Sequence, residues 1–272
     1  KMPPFSVSRK FKRNQRVSFN YGPREHSRLL YPANILSYKN TYKPYASSNS
    51  MLKLGIDDAG RGPVIGPMVL AGCLIDDAAE KEFKKLGVKD SKQLTAKRRE
   101  HLAEIIKEKA ETFEIIIIHP KEIDGDGFDR IKLNELEAIA CASIINKINK
   151  GYNKINVVLD CPSPNTTKWK DFLKTKIENL SNLEISCEHK ADVNHVVVSA
   201  ASILAKSARE KEMSTLREKY GDEIGTGYCS DPETCKFLEK YLEKYNDDGI
   251  FRKTWITWKN ALSKKEQKTL EV

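Results

Sequence analysis

The chain has 272 residues, which is enough for one globular domain whose hydrophobic core needs no disulfide bonds for stability. No run of about 18 apolar residues occurs, which excludes a membrane-spanning helix, and the six cysteines lack the spacing of a zinc site. The cysteine pattern predicts a cytoplasmic, reducing location. The formal net charge is +9.

Residues 1–50 carry this net charge, since they hold ten Lys or Arg and one acidic residue, Glu25, and leave 37 basic and 37 acidic residues in the rest of the chain. They show neither helical nor strand periodicity, so we predict a basic N-terminal arm without regular structure. The alternatives are an upstream segment absent from the natural product and an Arg-rich transit peptide. Residues 51–259 are predicted to form one folded domain and residues 260–272 a frayed polar tail.

From Met51 onward, short apolar runs alternate with amphipathic segments, which predicts a mixed α/β domain. The predicted strands are Leu54–Asp57, Met68–Ile75, Phe113–Ile118, Ile155–Asp160 and the weaker Glu184–Cys187. The first two strands are joined by the Gly/Pro-rich turn Gly60–Pro67 and should form an antiparallel hairpin. The predicted helices are one that Thr95 caps and that runs to about Lys109, then Leu133–Asn149, Val197–Tyr220 and Pro232–Tyr245.

Phosphate affinity of this neutral part of the chain must come from local clusters of basic residues. One such cluster, which could equally be a solvated helix face, contains Lys89, Lys92, Lys97, Arg98 and Arg99.

Acidic residues follow three of the predicted strands. Asp57 ends the first strand and Asp58 follows it, Asp160 ends the fourth, and Asp192 lies shortly after the fifth. A carboxylate at the end of an apolar strand is poorly solvated, and several together repel one another unless a cation lies among them. Clustered carboxylates select hard ions such as Mg²⁺ or Mn²⁺. Each of these residues could instead be an ordinary turn former or helix cap.

The segment that follows the first acids is rich in glycine and proline: Gly55-Ile-Asp-Asp-Ala-Gly-Arg-Gly-Pro-Val-Ile-Gly-Pro-Met-Val69. A tight turn there could present backbone N–H groups and Arg61 to a phosphate or sugar, although a plain Gly-rich hairpin fits equally well. With this segment the chain resembles ribonuclease HII, the type 2 ribonucleases H. It is more similar to the archaeal and eukaryotic catalytic-subunit branch than to the bacterial one.

The resemblance extends from Met51 to about Lys259 and rests on separate motifs in the family's order. The motifs are Asp57-Asp58, Gly60-Arg61-Gly62, Asp90-Ser91-Lys92 with Leu94 and Arg98-Arg99, Asn134-Glu135-Leu136, Asp160, His189-Lys190-Ala191-Asp192 with Val198–Lys206, and Gly225-Thr226-Gly227-Tyr228. Two positions depart from the family: Cys229 stands where proline is usual, and Asp58 replaces the usual Glu, which shortens the side chain by about 1.5 Å.

The resemblance implies a ribonuclease H-like α/β fold, with a mixed sheet flanked by helices and a helical C-terminal region, and makes residues 51–259 a catalytic domain. It implies an endonuclease that cuts the ribonucleotide strand of RNA–DNA hybrids and cuts 5′ of ribonucleotides embedded in DNA, leaving 3′-hydroxyl and 5′-phosphate ends. The carboxylates expected to bind two Mg²⁺ or Mn²⁺ ions are Asp57, Asp58, Asp160 and Asp192.

The same resemblance implies a set of substrate-binding residues. They are Gly60, Arg61, Gly62, Lys92 and Tyr228. The Gly-Arg-Gly turn would bind the backbone at the scissile phosphate and sense the 2′-hydroxyl, which distinguishes RNA from DNA at one position. The tyrosine would stack on the neighbouring sugar.

Three other interpretations compete. A type 3 ribonuclease H shares the carboxylates but usually lacks the tyrosine motif and carries an N-terminal binding domain. A nucleic-acid-binding module would be catalytically impaired at Asp58 and bind through its basic arm, and a structural subunit of a larger complex is the third. The expected partners are RNA–DNA hybrids and DNA with embedded ribonucleotides, with no membrane. A monomer is expected, and a sliding clamp or an accessory subunit stays open as a protein partner.

Overall fold

The structure is a computed structural model that describes residues 51–89, 94–125, 131–151 and 153–270. The predicted N-terminal arm and the Asp90-Ser91-Lys92 motif lie outside these residues. The described strands are β1 (Leu52–Ala59), β2 (Met68–Ile75), β3 (Thr112–Ile118), β4 (Ile155–Asp160) and β5 (Leu183–Glu188).

These strands form one mixed sheet in the order β3-β2-β1-β4-β5. β1 pairs antiparallel with β2, and β2 with β3, whereas β1 and β4 are parallel, as are β4 and β5. The predicted hairpin and the predicted mixed α/β sheet are confirmed. Because β1, β4 and β5 are parallel, their carboxyl ends lie at the same edge of the sheet, and this edge carries the acidic residues.

Helices cover both faces of the sheet. The described helices are α1 (Asp77–Leu86), α2 (Ala96–Lys109), α3 (Pro120–Asp124), α4 (Leu133–Ile148), α5 (Thr166–Lys174), α6 (Ala191–Asn194), α7 (Val196–Tyr220), α8 (Pro232–Tyr241) and α9 (Ile256–Leu270). The α4 and α5 helices pack on one face, and α1, α2 and α7 pack on the other. None of the described helices is both long and apolar enough to cross a lipid bilayer.

A third group of buried apolar residues joins the C-terminal region to the turn between β1 and β2. From the turn it includes Val64 and Ile65, and from the C-terminal region it includes Phe237, Phe251 and Trp258. Ile65 and Phe251 also form an isolated antiparallel β-bridge. The predicted helical C-terminal region therefore supports the turn that follows the first acids.

The C-terminal end corrects two predictions. The helix predicted over Pro232–Tyr245 ends at Tyr241. The tail predicted to fray after residue 259 instead belongs to α9, which crosses that boundary and buries Trp258 and Ala261. These two residues are three positions apart and so share one helix face. The many charged residues around them hid this narrow apolar stripe.

Candidate active site

Three of the predicted acidic residues lie together at the carboxyl edge of the sheet. Ile56 of β1 is opposite Leu159 of β4, so the next residues, Asp57 and Asp160, are neighbours. Successive side chains in a strand point to opposite faces. Asp57 faces α7, where Ser202 hydrogen-bonds its carboxylate, and also accepts the N–H of Asp58 at 2.7 Å.

Asp58 points to the other face of the sheet, where α4 supplies a further carboxylate. Glu137 is only 2% exposed, and its negative charge acts on Asp58. Glu137 accepts a hydrogen bond of 3.0 Å from the guanidinium of Arg61. The site therefore contains a buried acid that the sequence motifs did not indicate.

Burial and mutual repulsion raise the pKa values of three acids at this edge. Burial, then the charges of Asp58 and Asp160, raise the pKa of Asp57 well above its ordinary value. Burial, followed by repulsion from Glu137, raises the pKa of Asp58 to about 7, against the opposing effect of Arg61. Burial also raises the pKa of Glu137 to about 7. The protein's own basic groups thus do not compensate the negative charge collected here.

Asp192 reaches the same edge through a sharp change of chain direction. Lys190 has a left-handed φ of 57°, which is uncommon for a residue with a side chain. The turn lets the N–H of Ala191 donate to Asp160 Oδ1 at 2.9 Å. Asp192 follows directly and is buried, and its carbonyl accepts the Ser199 hydroxyl of α7 at 2.5 Å. One hydrogen bond thus ties the loop of the fourth predicted acid to the third.

The donor set of this edge suits a hard divalent cation, because it consists of carboxylates whose charges repel one another. The acids nevertheless do not meet at one point. Among the described residues, no three acidic, histidine or cysteine side chains lie close enough together to hold a single ion. The carboxylates of the predicted metal site therefore lie at one edge of the sheet, but three of them do not converge on one point.

The Gly60–Gly62 turn begins directly beside these acids. Arg61 donates to Glu137 and also to the side chain of Asn134, so both contacts tie it to α4. The arginine that the sequence analysis expected at the phosphate is thus bound within the protein.

The two glycines of this turn differ in their surroundings. Gly60 has a φ of +79°, and a Cβ there would overlap the Arg209 side chain. Gly62 is exposed, has no such φ, and a Cβ there would meet no described atom within 4 Å. Neither the backbone nor the packing of the described residues requires glycine at position 62.

Tyr228 lies next to this turn on a second glycine-rich loop. The carbonyl of Gly227 accepts the N–H groups of Val64 and Ile65 at 2.9 and 3.2 Å, which joins the two loops. Tyr228 is 40% exposed, and the guanidinium of Arg209, from α7, lies 5.1 Å from its ring centroid. The tyrosine is therefore held against one cation while part of its ring faces solvent.

Cys229 and two arginines of the basic cluster contact other parts of the protein. Cys229 accepts a hydrogen bond from the Thr257 hydroxyl at 3.0 Å, so its sulfur contacts α9. Within the basic cluster, Arg98 donates to the Leu86 carbonyl at 2.8 Å, and Arg99 pairs with Glu210. These two arginines are therefore bound within the protein, and Lys92 lies outside the described residues.

The whole of this arrangement can be compared with known proteins. Residues 54–258 match the family Ribonuclease HII. The ribonuclease HII of Methanocaldococcus jannaschii is 42% identical over 230 residues, which cover 81% of this chain and 99% of that protein. The chain belongs to the ribonuclease HII family. Family members are metal-dependent type 2 ribonucleases H that cleave RNA in RNA–DNA hybrids, and this membership decides against the type 3 alternative.

Solved structures of ribonucleases HII agree with the fold. The ribonuclease H2 of Pyrococcus horikoshii OT3 is 35% identical, with a TM-score of 0.70 over 79% of this chain and 98% of the other. The ribonuclease HII of Archaeoglobus fulgidus, solved in complex with PCNA, is 36% identical, with a TM-score of 0.67 over 77% of this chain and 96% of the other. This ribonuclease HII therefore has the predicted ribonuclease H-like fold.

Proposed function

We propose that the enzyme cuts 5′ of ribonucleotides embedded in duplex DNA, as well as within longer RNA–DNA hybrids, and leaves 3′-hydroxyl and 5′-phosphate ends. The observation that carries this proposal is the exposed Gly62 beside the acid cluster. A Cβ at this position would meet no described atom within 4 Å, so the turn presents open space beside the acids, and the absence of a side chain there would let a substrate backbone approach closely.

We assign Asp57, Asp58, Asp160 and Asp192 as the residues that hold two Mg²⁺ or Mn²⁺ ions. Their mutual repulsion favours this assignment, because bound cations would offset the charge that raises the pKa of Asp57 and Asp58. Bound divalent ions supply Lewis acidity for activating water and for stabilising charge on the leaving oxygen.

Glu137 supports the site from α4. It holds Arg61 at 3.0 Å and thereby fixes where the Gly60–Gly62 turn lies relative to Asp58. The turn contributes its backbone groups to the substrate, while the Arg61 side chain positions the turn. We expect the Tyr228 ring to stack on the sugar beside the cleavage point, and its partial exposure supports this role.

The deciding experiment uses a DNA duplex that contains one ribonucleotide, with Mg²⁺ and with EDTA. Cleavage should require Mg²⁺ and give a 3′ end that a DNA polymerase extends and a 5′ end that a ligase joins. Asp160→Asn should be folded and below about a tenth of the parent activity, since it removes one charged ligand. Cleavage on the 3′ side of the ribonucleotide, or full activity in Asp160→Asn, would contradict the proposal.

Tyr228 provides a second test of reading at a single ribonucleotide. Tyr228→Ala should slow cleavage there by roughly 10- to 100-fold, the range that the loss of one stacking contact explains, and Tyr228→Phe should lose less. Long hybrids offer many registers and should suffer less from either change. Equal losses on both substrates together with a lower melting temperature would show that Tyr228 only packs the loop.

We also propose a sliding clamp as a protein partner, because the Archaeoglobus fulgidus relative was solved with PCNA. Co-elution of the chain with the clamp of its own source in gel filtration would support this, and separate elution at micromolar concentrations would argue against it.

A further inference from the structure

The carbonyl groups of the Gly60–Gly62 turn are held by two side chains near the other end of the chain. Arg252 donates from Nη2 to the Gly60 carbonyl at 2.6 Å and from Nη1 to the Arg61 carbonyl at 2.8 Å. Trp255 donates from its indole N–H to the Gly62 carbonyl at 3.1 Å. All three consecutive carbonyls of the turn are thus accounted for by one short C-terminal segment.

The segment that carries these donors is itself anchored. Arg252 takes part in a short ladder, in which its own N–H donates to the Val64 carbonyl at 2.9 Å. The carboxylate of Asp124 accepts the N–H of Lys253 at 2.7 Å and the N–H and hydroxyl of Thr254 at 3.1 and 2.6 Å. The donors therefore come from a fixed support.

Arg252 is an unusual residue to bury for stability alone. It is 0% exposed, and its described hydrogen bonds go to main-chain carbonyls, which include two from Nε and Nη2 to Gly66 at 3.1 and 2.9 Å. Burying an arginine costs free energy that an apolar side chain would not. The planar fork, however, can hold several carbonyls in one fixed arrangement, which a lysine cannot do.

The direction of the carbonyls determines the direction of the N–H groups. In a trans peptide the C=O and the following N–H point in opposite directions, and none of the described peptide bonds is cis. Since the Gly60 and Arg61 carbonyls point to Arg252, the N–H groups of Arg61 and Gly62 point away from it. The third peptide, held by Trp255, leads into Pro63, which has no N–H.

We propose that Arg252 and Trp255 are positioning residues that aim the Arg61 and Gly62 N–H groups at the substrate and thereby set the selectivity for a ribonucleotide. This inference rests on the proposed function of the turn. It assigns the specificity of the enzyme partly to a segment outside the Gly60–Gly62 turn.

Two substitutions test the inference in the full chain with Mg²⁺. Trp255→Phe removes one donor and keeps a ring beside Arg252, whose guanidinium lies 5.0 Å from the indole. It should lower kcat/KM on a duplex with one ribonucleotide by about 3- to 10-fold, the equivalent of one hydrogen bond. Arg252→Lys keeps the charge without the fork and should lower it by about 30- to 100-fold.

The readout that separates positioning from general damage is an all-DNA duplex of the same sequence, used as a competitive inhibitor. Its inhibition constant should stay within about twofold of the parent value, because it has no 2′-hydroxyl for the turn to read. Ile256→Ala is the matched control, since Ile256 follows Trp255 directly, is 69% exposed and lies outside the buried cluster that supports the turn, and it should retain parent kcat/KM.

Two results would overturn the inference: parent-like kcat/KM in both variants, or an inhibition constant that rises by the same factor as kcat/KM falls. If Arg252→Lys failed to fold, Trp255→Phe alone would decide. Failure of the unsubstituted chain to cut the single-ribonucleotide duplex would contradict the proposed function instead.

Discussion

Asp58 is one methylene shorter than the Glu that the resemblance to ribonuclease HII leads us to expect at this position. Asp58 faces α4, and the charges that act most strongly on it are those of Glu137 in α4 and of Arg61 in the turn. We expect a longer side chain at position 58 to bring its carboxylate closer to Glu137.

Asp58→Glu should therefore leave activity unchanged or lower it by a few fold, because an additional methylene crowds a packed site. The measurement is kcat/KM on a hybrid duplex at saturating Mg²⁺, with the melting temperature as a check on folding. A gain of 10-fold or more, which corresponds to about 1.4 kcal/mol in the barrier, would show that Asp58 is an impaired ligand.

The two glycines of the substrate turn allow a matched comparison with the same substitution. Gly60→Ala should destabilise the protein, because Gly60 has a φ of +79° and a Cβ there would overlap Arg209. Gly62→Ala should keep the parent melting temperature, since a Cβ there meets no described atom, and should lose at least about tenfold in cleavage if the substrate backbone occupies that space as proposed. Thermal unfolding and single-turnover cleavage distinguish the two, and a fully active Gly62→Ala would remove the main support for substrate contact at the turn.

At the scale of elements, the sequence predicts segments with strong local signals and misses those with weak ones. β2 and α2 have the predicted bounds. The apolar run between Pro67 and Asp76 defines both ends of β2, and the Thr95 cap defines the start of α2. The α1, α5 and α9 helices are absent from the prediction. Charged residues dominate α1, and among the described side chains only two in α5 and two in α9 are buried.

The site residues likewise divide into those with a strong sequence signal and those with a weak one. The acids at strand ends are visible in the sequence because parallel strands bring their ends together. Glu137 lies three residues after Asn134 and so on the same helix face, a spacing that could have indicated it. Arg252 gives no such signal, because a single arginine in an irregular segment has many partners open to it until the fold is known.

The C-terminal helix yields a prediction that separates a packed element from a frayed tail. Ala261 is buried in α9, whereas the preceding Asn260 is exposed. Ala261→Asp should lower the melting temperature by roughly 5–10 °C, since a buried unpaired carboxylate costs several kcal/mol. Asn260→Asp introduces the same side chain at the preceding, exposed position and should change the melting temperature by about 1 °C or less. Similar melting temperatures for both variants would show that the helix does not pack.

At the scale of the whole molecule, the acid cluster makes stability depend on pH and on divalent ions. Raised pKa values of about 7 for Asp58 and Glu137 mean that the folded chain binds more protons than the unfolded chain, in which such acids titrate near about 4. The contribution of these acids to stability is therefore fully present below about pH 4 and is lost as the pH rises through 7.

Asp58→Asn removes part of this effect. In EDTA, its melting temperature should match that of the parent near pH 4 and exceed it by roughly 3–6 °C at pH 8.5. Mg²⁺ should reduce or reverse this advantage, because the parent gains more from bound cations. Asp171→Asn, which alters an exposed acid, is the control and should show no such trend. A parent that is as stable as Asp58→Asn at pH 8.5 without metal would contradict the electrostatic account.

The hydrogen bonds on the Gly60–Gly62 turn join residues that are 191 to 193 positions apart. On the ribosome, the strand-end acids through Asp192 are synthesised well before Arg252 and Trp255. Contacts between residues so far apart in the sequence also lose more loop-closure entropy than local contacts do. We therefore expect them to form late in folding. The acid cluster can thus assemble in a growing chain before the Gly60–Gly62 turn is fixed. If Arg252 and Trp255 have the positioning role proposed above, selectivity for a ribonucleotide is acquired only when the segment that carries them has been made and has docked.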